Sequence, residues 1–157
     1  MTEGIMTSIR LRLERLNHAV YIAAFVAIKL LIAYLFSLGA LEYLGKSILS
    51  DIPDLGTNTQ RFITLVFLAP LVETYLFQYL FFEHLSKYLK NSGVIIFLSA
   101  IVFGLGHTYN SGYIPYAFFS GLLYSVGYYY RLNSHPYVNV FLIHSVYNLL
   151  ALMLNNR

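Results

Sequence analysis

One acidic residue in the middle of a long apolar run is the strongest constraint on how this chain folds. The run extends from Phe62 to Phe82, which is long enough to cross a bilayer, and Glu73 near its midpoint is the only Asp, Glu, Lys or Arg in it. An acid at the centre of a membrane helix costs roughly 2.5–3.5 kcal/mol, so such a residue usually faces a bundle interior or a water-filled cavity. We therefore expect other helices to supply polar partners for Glu73.

The composition predicts an all-α, polytopic membrane helical bundle. Hydrophobic residues make up 58% of the 157 residues and charged residues only 11%, whereas a soluble domain has about 25% charged residues. About five transmembrane helices are predicted, of which the third is short for the ~20 residues that a spanning helix needs. Their approximate bounds are Val20–Leu41, Phe62–Phe82, Val94–Gly106, Tyr113–Tyr130 and Tyr137–Leu154.

The charges predict a topology and exclude some functions. With a cytoplasmic N-terminus, six basic residues lie inside and three outside, as the positive-inside rule favours; the inside set is Arg10, Arg12, Arg15, Lys87, Lys90 and Arg131, and the outside set is Lys46, Arg61 and Arg157. The polar lead of residues 1–17 is predicted to be an interfacial helix rather than a signal peptide. Glu42–Arg61 is predicted to be an outer loop. The chain has no cysteine and no basic stripe for nucleic acid.

Small residues and a proline predict how the helices pack. Ala100 and Gly104 on the third segment, and Gly121 and Ser125 on the fourth, have the spacing that lets membrane helices approach closely. Pro70 should kink the second helix one turn before Glu73, leaving backbone groups for neighbours to satisfy.

Two basic residues differ in their predicted depth in the membrane. Lys29 lies inside the first segment, where it either snorkels or pairs with a neighbouring helix, and the sequence assigns it no role. Arg131 ends the run Tyr128–Arg131, which is typical of an interfacial aromatic belt with a cationic anchor.

Three predicted helices carry deep polar groups. Glu73 is on the second, His107 ends the third, and His144 and Asn148 share one face of the last because they are four residues apart. A helix–helix hydrogen-bond network is the structural interpretation of this set. One carboxylate, two imidazoles and an amide on three helices favour a functional site.

Several hydrolytic chemistries lack their residues in this sequence. Both deep Asp residues of aspartyl proteolysis are missing, because Asp51 and Asp54 lie in one loop, and neither Gly-x-Ser-Gly nor His-Glu-x-x-His occurs. What remains is a carboxylate that can activate water, an imidazole that can share the proton, and a His/Asn pair that can donate to an oxyanion. A zinc site of Glu73, His107 and His144 is the alternative. We favour no metal and no other cofactor.

The motifs resemble those of the CAAX-protease and bacteriocin-processing (CPBP) family of intramembrane endopeptidases. That family has Glu-Glu-x-x-x-Arg after a proline, then Phe-x-x-x-His, then His-x-x-x-Asn. Here the three motifs occur in that order and on predicted helices, and the resemblance spans about Arg61–Leu154: Glu73-Thr74-Tyr-Leu-Phe-Gln78 after Pro70, Phe103-Gly-Leu-Gly-His107, and His144-Ser-Val-Tyr-Asn148.

The resemblance implies roles for these residues. Glu73 and His107 would activate the water that attacks a peptide carbonyl, and His144 and Asn148 would stabilise the oxyanion. Thr74 and Gln78 replace a Glu and an Arg that support the catalytic Glu, and we interpret them as a neutral, hydrogen-bonded substitute. Residues 61–157 would form a four-helix catalytic core, and residues 1–60 the lead, the first helix and the outer loop.

Two other functions compete with an intramembrane peptidase acting on a membrane-associated protein or peptide. The first is a non-catalytic CPBP-like membrane protein, such as a bacteriocin-immunity factor or scaffold. The second, a proton-coupled transporter, is less favoured because Glu73 is the only deep acid. The family resemblance suggests a prokaryotic plasma membrane, while substrate identity, prenylation and oligomeric state do not follow from the sequence.

Overall fold

The computed structural model describes residues 11–44, 55–108 and 112–155, and within these ranges the chain is helical without a β-strand. The all-α prediction is confirmed. Five long helical elements match the five apolar segments, and residues 11–14 are also helical. The elements are α1 (His18–Leu44), α2 (residues 58–83), α3 (Ser92–Leu105), α4 (Tyr113–Tyr129) and α5 (Pro136–Asn155).

Some predicted features lie outside the described residues. These are the first part of the polar lead, through Arg10, and residues 45–54 of the predicted outer loop, with Lys46, Asp51 and Asp54. Arg157 at the C-terminus is outside them as well. The predicted orientation of the chain therefore stays a prediction.

In the described parts of the chain, three helices are long and apolar enough to cross a membrane: His18–Gly39, Asn58–Lys87 and Pro136–Leu154. The other two elements are shorter. At 1.5 Å per residue, the 14 residues of α3 extend about 21 Å and the 17 residues of α4 about 26 Å, compared with a hydrocarbon core of about 30 Å. By length and composition, three of the five predicted spans qualify.

Glycine allows α3 and α4 to pack with their backbones in close contact. A Cβ atom on Gly121 would lie 2.9 Å from Phe103 Cβ and 3.0 Å from Ala100 Cα, and one on Gly104 would lie 3.2 Å from Phe118 Cβ. The predicted close approach of these two helices is therefore confirmed. α1 packs against α4 and α5, and α5 also packs along α2.

Arg131 connects the α4–α5 turn to the start of the described chain. It is 1% exposed, and its guanidinium donates to the carbonyl oxygens of Glu14 (2.9 Å) and Leu16 (2.7 Å). It also lies 4.3 Å from the ring centroid of Tyr21. The predicted interfacial anchor is wrong for Arg131 and for the equally buried Tyr128. Backbone carbonyls and an aromatic face take the place that lipid headgroups would have had.

Candidate active site

The helix that carries Glu73 is irregular on both sides of that residue. Within α2, the α-helical turn Ala69–Glu73 lies between two π-helical segments, Thr64–Leu68 and Thr74–Tyr79. Segments of this kind occur often at functional sites, because the wider turn changes which side chains face a neighbour. No sequence pattern predicted these π-helical segments, although Pro70 lies in the turn between them.

Pro70 leaves one carbonyl of α2 without a donor from its own helix, and Asn148 donates to that carbonyl instead. In the first π segment the N–H of Ala69 donates to Thr64 O, five residues earlier. The next bond of that register would run from residue 70 to Leu65 O, but proline has no N–H. Asn148 Nδ2 donates to Leu65 O at 2.8 Å. A backbone group that lipid could not satisfy is thus paired by the helix that faces it.

Two more hydrogen bonds fix α2 against its neighbours. Ser99 on α3 donates from Oγ to Phe77 O at 2.5 Å, and the Tyr137 hydroxyl on α5 donates to Leu71 O at 2.8 Å. Together with Asn148, these donors hold α2 on both sides of Glu73. The position of its carboxylate is therefore set by α3 and α5 as well as by its own helix.

Glu73 and His144 are adjacent across the α2–α5 contact. Glu73 Oε2 lies 3.8 Å from His144 Nε2, and the two side chains are 23% and 9% exposed. This distance is too long for a direct hydrogen bond, and it is typical of polar groups that share a water or a ligand atom. The His144 ring stacks on Tyr124, with centroids 4.6 Å apart, which fixes its orientation.

His107 lies in the turn that ends α3, where its N–H donates to Gly104 O. Its Nδ1 lies 2.7 Å from Phe103 O. A carbonyl oxygen only accepts, so Nδ1 is the donor, and in a neutral imidazole Nε2 is then a hydrogen-bond acceptor. The ring also packs 4.8 Å from that of Phe103, centroid to centroid. Its tautomer suits an imidazole that receives a proton.

His107, His144 and Asn148 line one small cavity. Glu73 is outside the cavity lining and reaches it through its contact with His144. The structure thus brings together residues from all three motifs. The contact that joins Glu73 to the cavity residues is the one with His144, and the joint action of Glu73 and His107 on a water stays a prediction. The remaining lining residues are Lys29, Phe103, Tyr113, Ala117, Ser120, Tyr124 and Tyr147.

Thr74 and Gln78, on the same helix as Glu73, are fully buried. Among the described residues, neither Thr74 Oγ1 nor the amide atoms of Gln78 have a hydrogen-bond partner. The predicted hydrogen-bonded substitute for an ion pair is therefore not formed.

Lys29 is the cavity residue to which the sequence assigned no role. It lies on α1 and is 2% exposed, and its ammonium donates to Tyr116 and Ser120 of α4. Of the two predicted possibilities, snorkelling is wrong and pairing with a neighbouring helix is confirmed. A cation within an apolar segment was the signal, but periodicity alone does not show which helix a side chain meets.

Zinc would require three ligands around one point. In the described part of the chain, no group of three His, Cys, Asp or Glu side chains is placed to hold a metal ion. Glu73, His107 and His144 in this arrangement do not fit such a site, and we derive no step through a metal.

The family of this chain is given by a match to a protein-family model. Residues 56–150 match the model described as type II CAAX prenyl endopeptidase Rce1-like. The match covers well over half of the chain and includes all three motifs. The chain belongs to the Rce1-like family. No match was found among curated proteins or among solved structures.

Membership of the Rce1-like family confirms the resemblance seen in the motifs. Together with the apolar helices, this membership shows that the chain is an integral membrane protein. Its family is that of CAAX-protease-type intramembrane endopeptidases. The matched range begins just before α2 and ends within α5. α1, with Lys29, lies outside it.

Proposed function

We propose that this Rce1-like protein hydrolyses a peptide bond of a membrane-associated protein or peptide, using Glu73, His107, His144 and Asn148. The observation that carries the proposal is the convergence of the three motifs. Glu73 and His144 are 3.8 Å apart, and His144 shares its cavity with His107 and Asn148.

In the proposed reaction Glu73 acts as general base. A water between its carboxylate and the substrate loses a proton as its oxygen bonds to the peptide carbonyl carbon. His107, with Nε2 as an acceptor, shares that proton. When the C–N bond breaks, the proton passes to the leaving amine. The new carboxylic acid then loses its remaining proton to the amine, so the products are a carboxylate and a protonated amine, and the site returns to its starting state.

His144 and Asn148 are the proposed donors to the oxyanion. In this role His144 carries a hydrogen on Nε2, the nitrogen nearest the Glu73 carboxylate, so base and donor serve the same peptide bond. The amide nitrogen of Asn148 has two hydrogens, and its bond to Leu65 O uses one. The other is available for the substrate. Preorganised donors of this kind typically contribute 10²–10³-fold in rate, an order-of-magnitude expectation here.

A non-catalytic membrane protein of the same family is the second candidate. The specific observation in its favour is that Thr74 and Gln78 are buried without hydrogen-bond partners in the described residues. In such a protein, the position of Glu73 would depend only on the hydrogen bonds that α3 and α5 donate to the backbone carbonyls of α2. The predicted prokaryotic membrane and cytoplasmic N-terminus are part of the proposal but do not affect its chemistry.

A substrate screen with two histidine variants tests the proposal. The full chain is reconstituted in liposomes with a library of membrane-binding peptides, and new termini are identified by mass spectrometry. We expect cleavage by the wild type and by His84→Ala, whose residue is exposed, but not by His144→Ala. Absence of cleavage by correctly folded wild type, or equal cleavage by His144→Ala, would contradict the proposal. Proton flux that requires His144 would favour a transporter.

A further inference from the structure

The ammonium of Lys29 is buried among hydroxyls and aromatic rings. Its Nζ donates to Tyr116 Oη at 2.5 Å and to Ser120 Oγ at 2.6 Å. It lies 3.7 Å from the ring centroid of Tyr116 and 4.4 Å from that of Tyr147. These polar and aromatic groups come from α4 and α5, so Lys29 connects three helices.

The surroundings of Lys29 suit a cation but do not neutralise it. Hydroxyl dipoles and ring faces stabilise an ammonium, and a cation–π contact is strongest when the cation is desolvated. A charge within a membrane protein is nevertheless usually paired with an opposite one. The ammonium's contacts within the described residues include no carboxylate, and the Glu73 carboxylate lies beside His144.

The same cavity contains Lys29 and the proposed catalytic groups. Lys29, Ser120 and Tyr147 line it together with His107 and His144. The hydroxyls of Tyr116 and Tyr147 are 2.5 Å apart, so they extend the polar surface from Lys29 toward α5.

We infer that Lys29 binds a carboxylate of the substrate peptide, with one hydroxyl of the Tyr116–Tyr147 pair as an additional donor, because the hydrogen bond between the two hydroxyls uses the other O–H. The carboxylate is the peptide's C-terminal group or an acidic side chain close to the cleaved bond. This inference rests on the proposed function, because it makes the cavity a peptide site and defines the peptides that it accepts. It also gives α1 a part in substrate selection.

Binding measurements with matched peptide pools test the inference without requiring cleavage. The probes are fluorescein-labelled random hexapeptides with a C-terminal carboxylate, the same pool as C-terminal carboxamides, and a carboxamide pool with one fixed Glu. Anisotropy with detergent-purified wild type should show about tenfold tighter binding of a carboxylate pool than of the plain carboxamide pool. Preference for the first pool identifies the C-terminal group, and preference for the Glu pool identifies a side chain.

Lys29→Met should reduce that preference to within about twofold, since methionine fills similar space without the charge. Lys87→Met is the matched control, because Lys87 is exposed, and it should bind as the wild type does. Equal binding of all three pools by the wild type, or a preference unchanged in Lys29→Met, would overturn the inference. If Lys29→Met does not fold, Tyr147→Phe, which keeps the ring and removes one donor, should weaken the same preference several-fold; an unchanged preference would overturn it.

The two proposals fail in distinguishable ways. A carboxylate preference that depends on Lys29, without cleavage by the wild type, supports the Lys29 site and contradicts the proposed hydrolysis. Cleavage that depends on His144, with no carboxylate preference in binding or in rate, supports hydrolysis and overturns the inference about Lys29.

Discussion

At the scale of single residues, the polar groups around Glu73 differ in whether they are paired. Asn148, Ser99 and Tyr137 each donate to a carbonyl of α2. Thr74 and Gln78, on α2 itself, are buried without hydrogen-bond partners among the described residues. A buried polar group without a partner costs about 1–3 kcal/mol. The helix is therefore held by its neighbours' side chains more than by Thr74 and Gln78.

Replacing the unpaired groups should not destabilise the protein. We expect Thr74→Val, which exchanges a hydroxyl for a methyl, to leave the free energy of unfolding unchanged or raise it by about 1 kcal/mol. Gln78→Met should behave in the same way. Thermal unfolding in detergent measures both. A loss of more than about 1 kcal/mol in either variant would show that the side chain makes a hydrogen bond on which the fold depends.

At the scale of elements, α2 combines a proline with a distant amide. Pro70 removes the N–H that would reach Leu65 O, and Asn148 on α5 supplies the missing donor. The same interaction pairs the carbonyl, joins two helices and places the amide at the cavity. This explains physically why a proline, unfavourable in most helix interiors, lies one turn before the proposed base.

A double-mutant cycle measures this coupling. Asn148→Ala alone should cost about 1–3 kcal/mol of unfolding free energy, because Leu65 O loses its donor. In a Pro70→Ala background the new N–H can pair that carbonyl, so Asn148→Ala should cost less, with a coupling energy of about 0.5–3 kcal/mol. Asn133→Ala, at an exposed position, is the control and should be additive with Pro70→Ala. Additivity for Asn148 as well would contradict the proposed exchange of donors.

The α3–α4 interface gives a second prediction for an element. Gly121→Val would place a branched side chain where even a Cβ lies 2.9 Å from Phe103 Cβ. We expect a loss of about 1–3 kcal/mol from overpacking, and separation of the helices that hold His107 and Lys29's partners. Gly39→Val is the control, since a Cβ there meets nothing within 4 Å. Equal thermal stability of the two variants would mean that the close approach is not required.

At the scale of the whole molecule, the sequence predicted which helices converge on the site, but it did not predict the partners of two buried cations. Five apolar segments and one deep acid were enough to place Glu73, His107, His144 and Asn148 on converging helices, because a buried acid requires polar neighbours. The burial of Arg131 and the contacts of Lys29 were not predictable. A chain's periodicity describes each helix separately, and both of these cations are paired with residues about 90 or more positions away.

The metal question also concerns the whole site. No three His, Cys, Asp or Glu side chains in the described residues are placed to hold a metal ion. We therefore expect peptide cleavage to persist after treatment with 1,10-phenanthroline, and purified protein to carry no zinc in stoichiometric amount. Mass spectrometry of the wild type beside His107→Ala measures bound metal. Stoichiometric zinc that is lost in His107→Ala, together with inhibition that zinc reverses, would make the protein a metalloprotease.

The central claim is that Glu73 activates the hydrolytic water, and one rate comparison tests it most directly. The initial rate of peptide cleavage is measured in liposomes for the wild type, Glu73→Gln and the exposed-site control Glu83→Gln, each with matched thermal unfolding. Loss of a general base predicts a fall of at least about 100-fold for Glu73→Gln and no change for Glu83→Gln. A Glu73→Gln rate within about threefold of the wild type, far smaller than loss of a general base would give, would contradict the account.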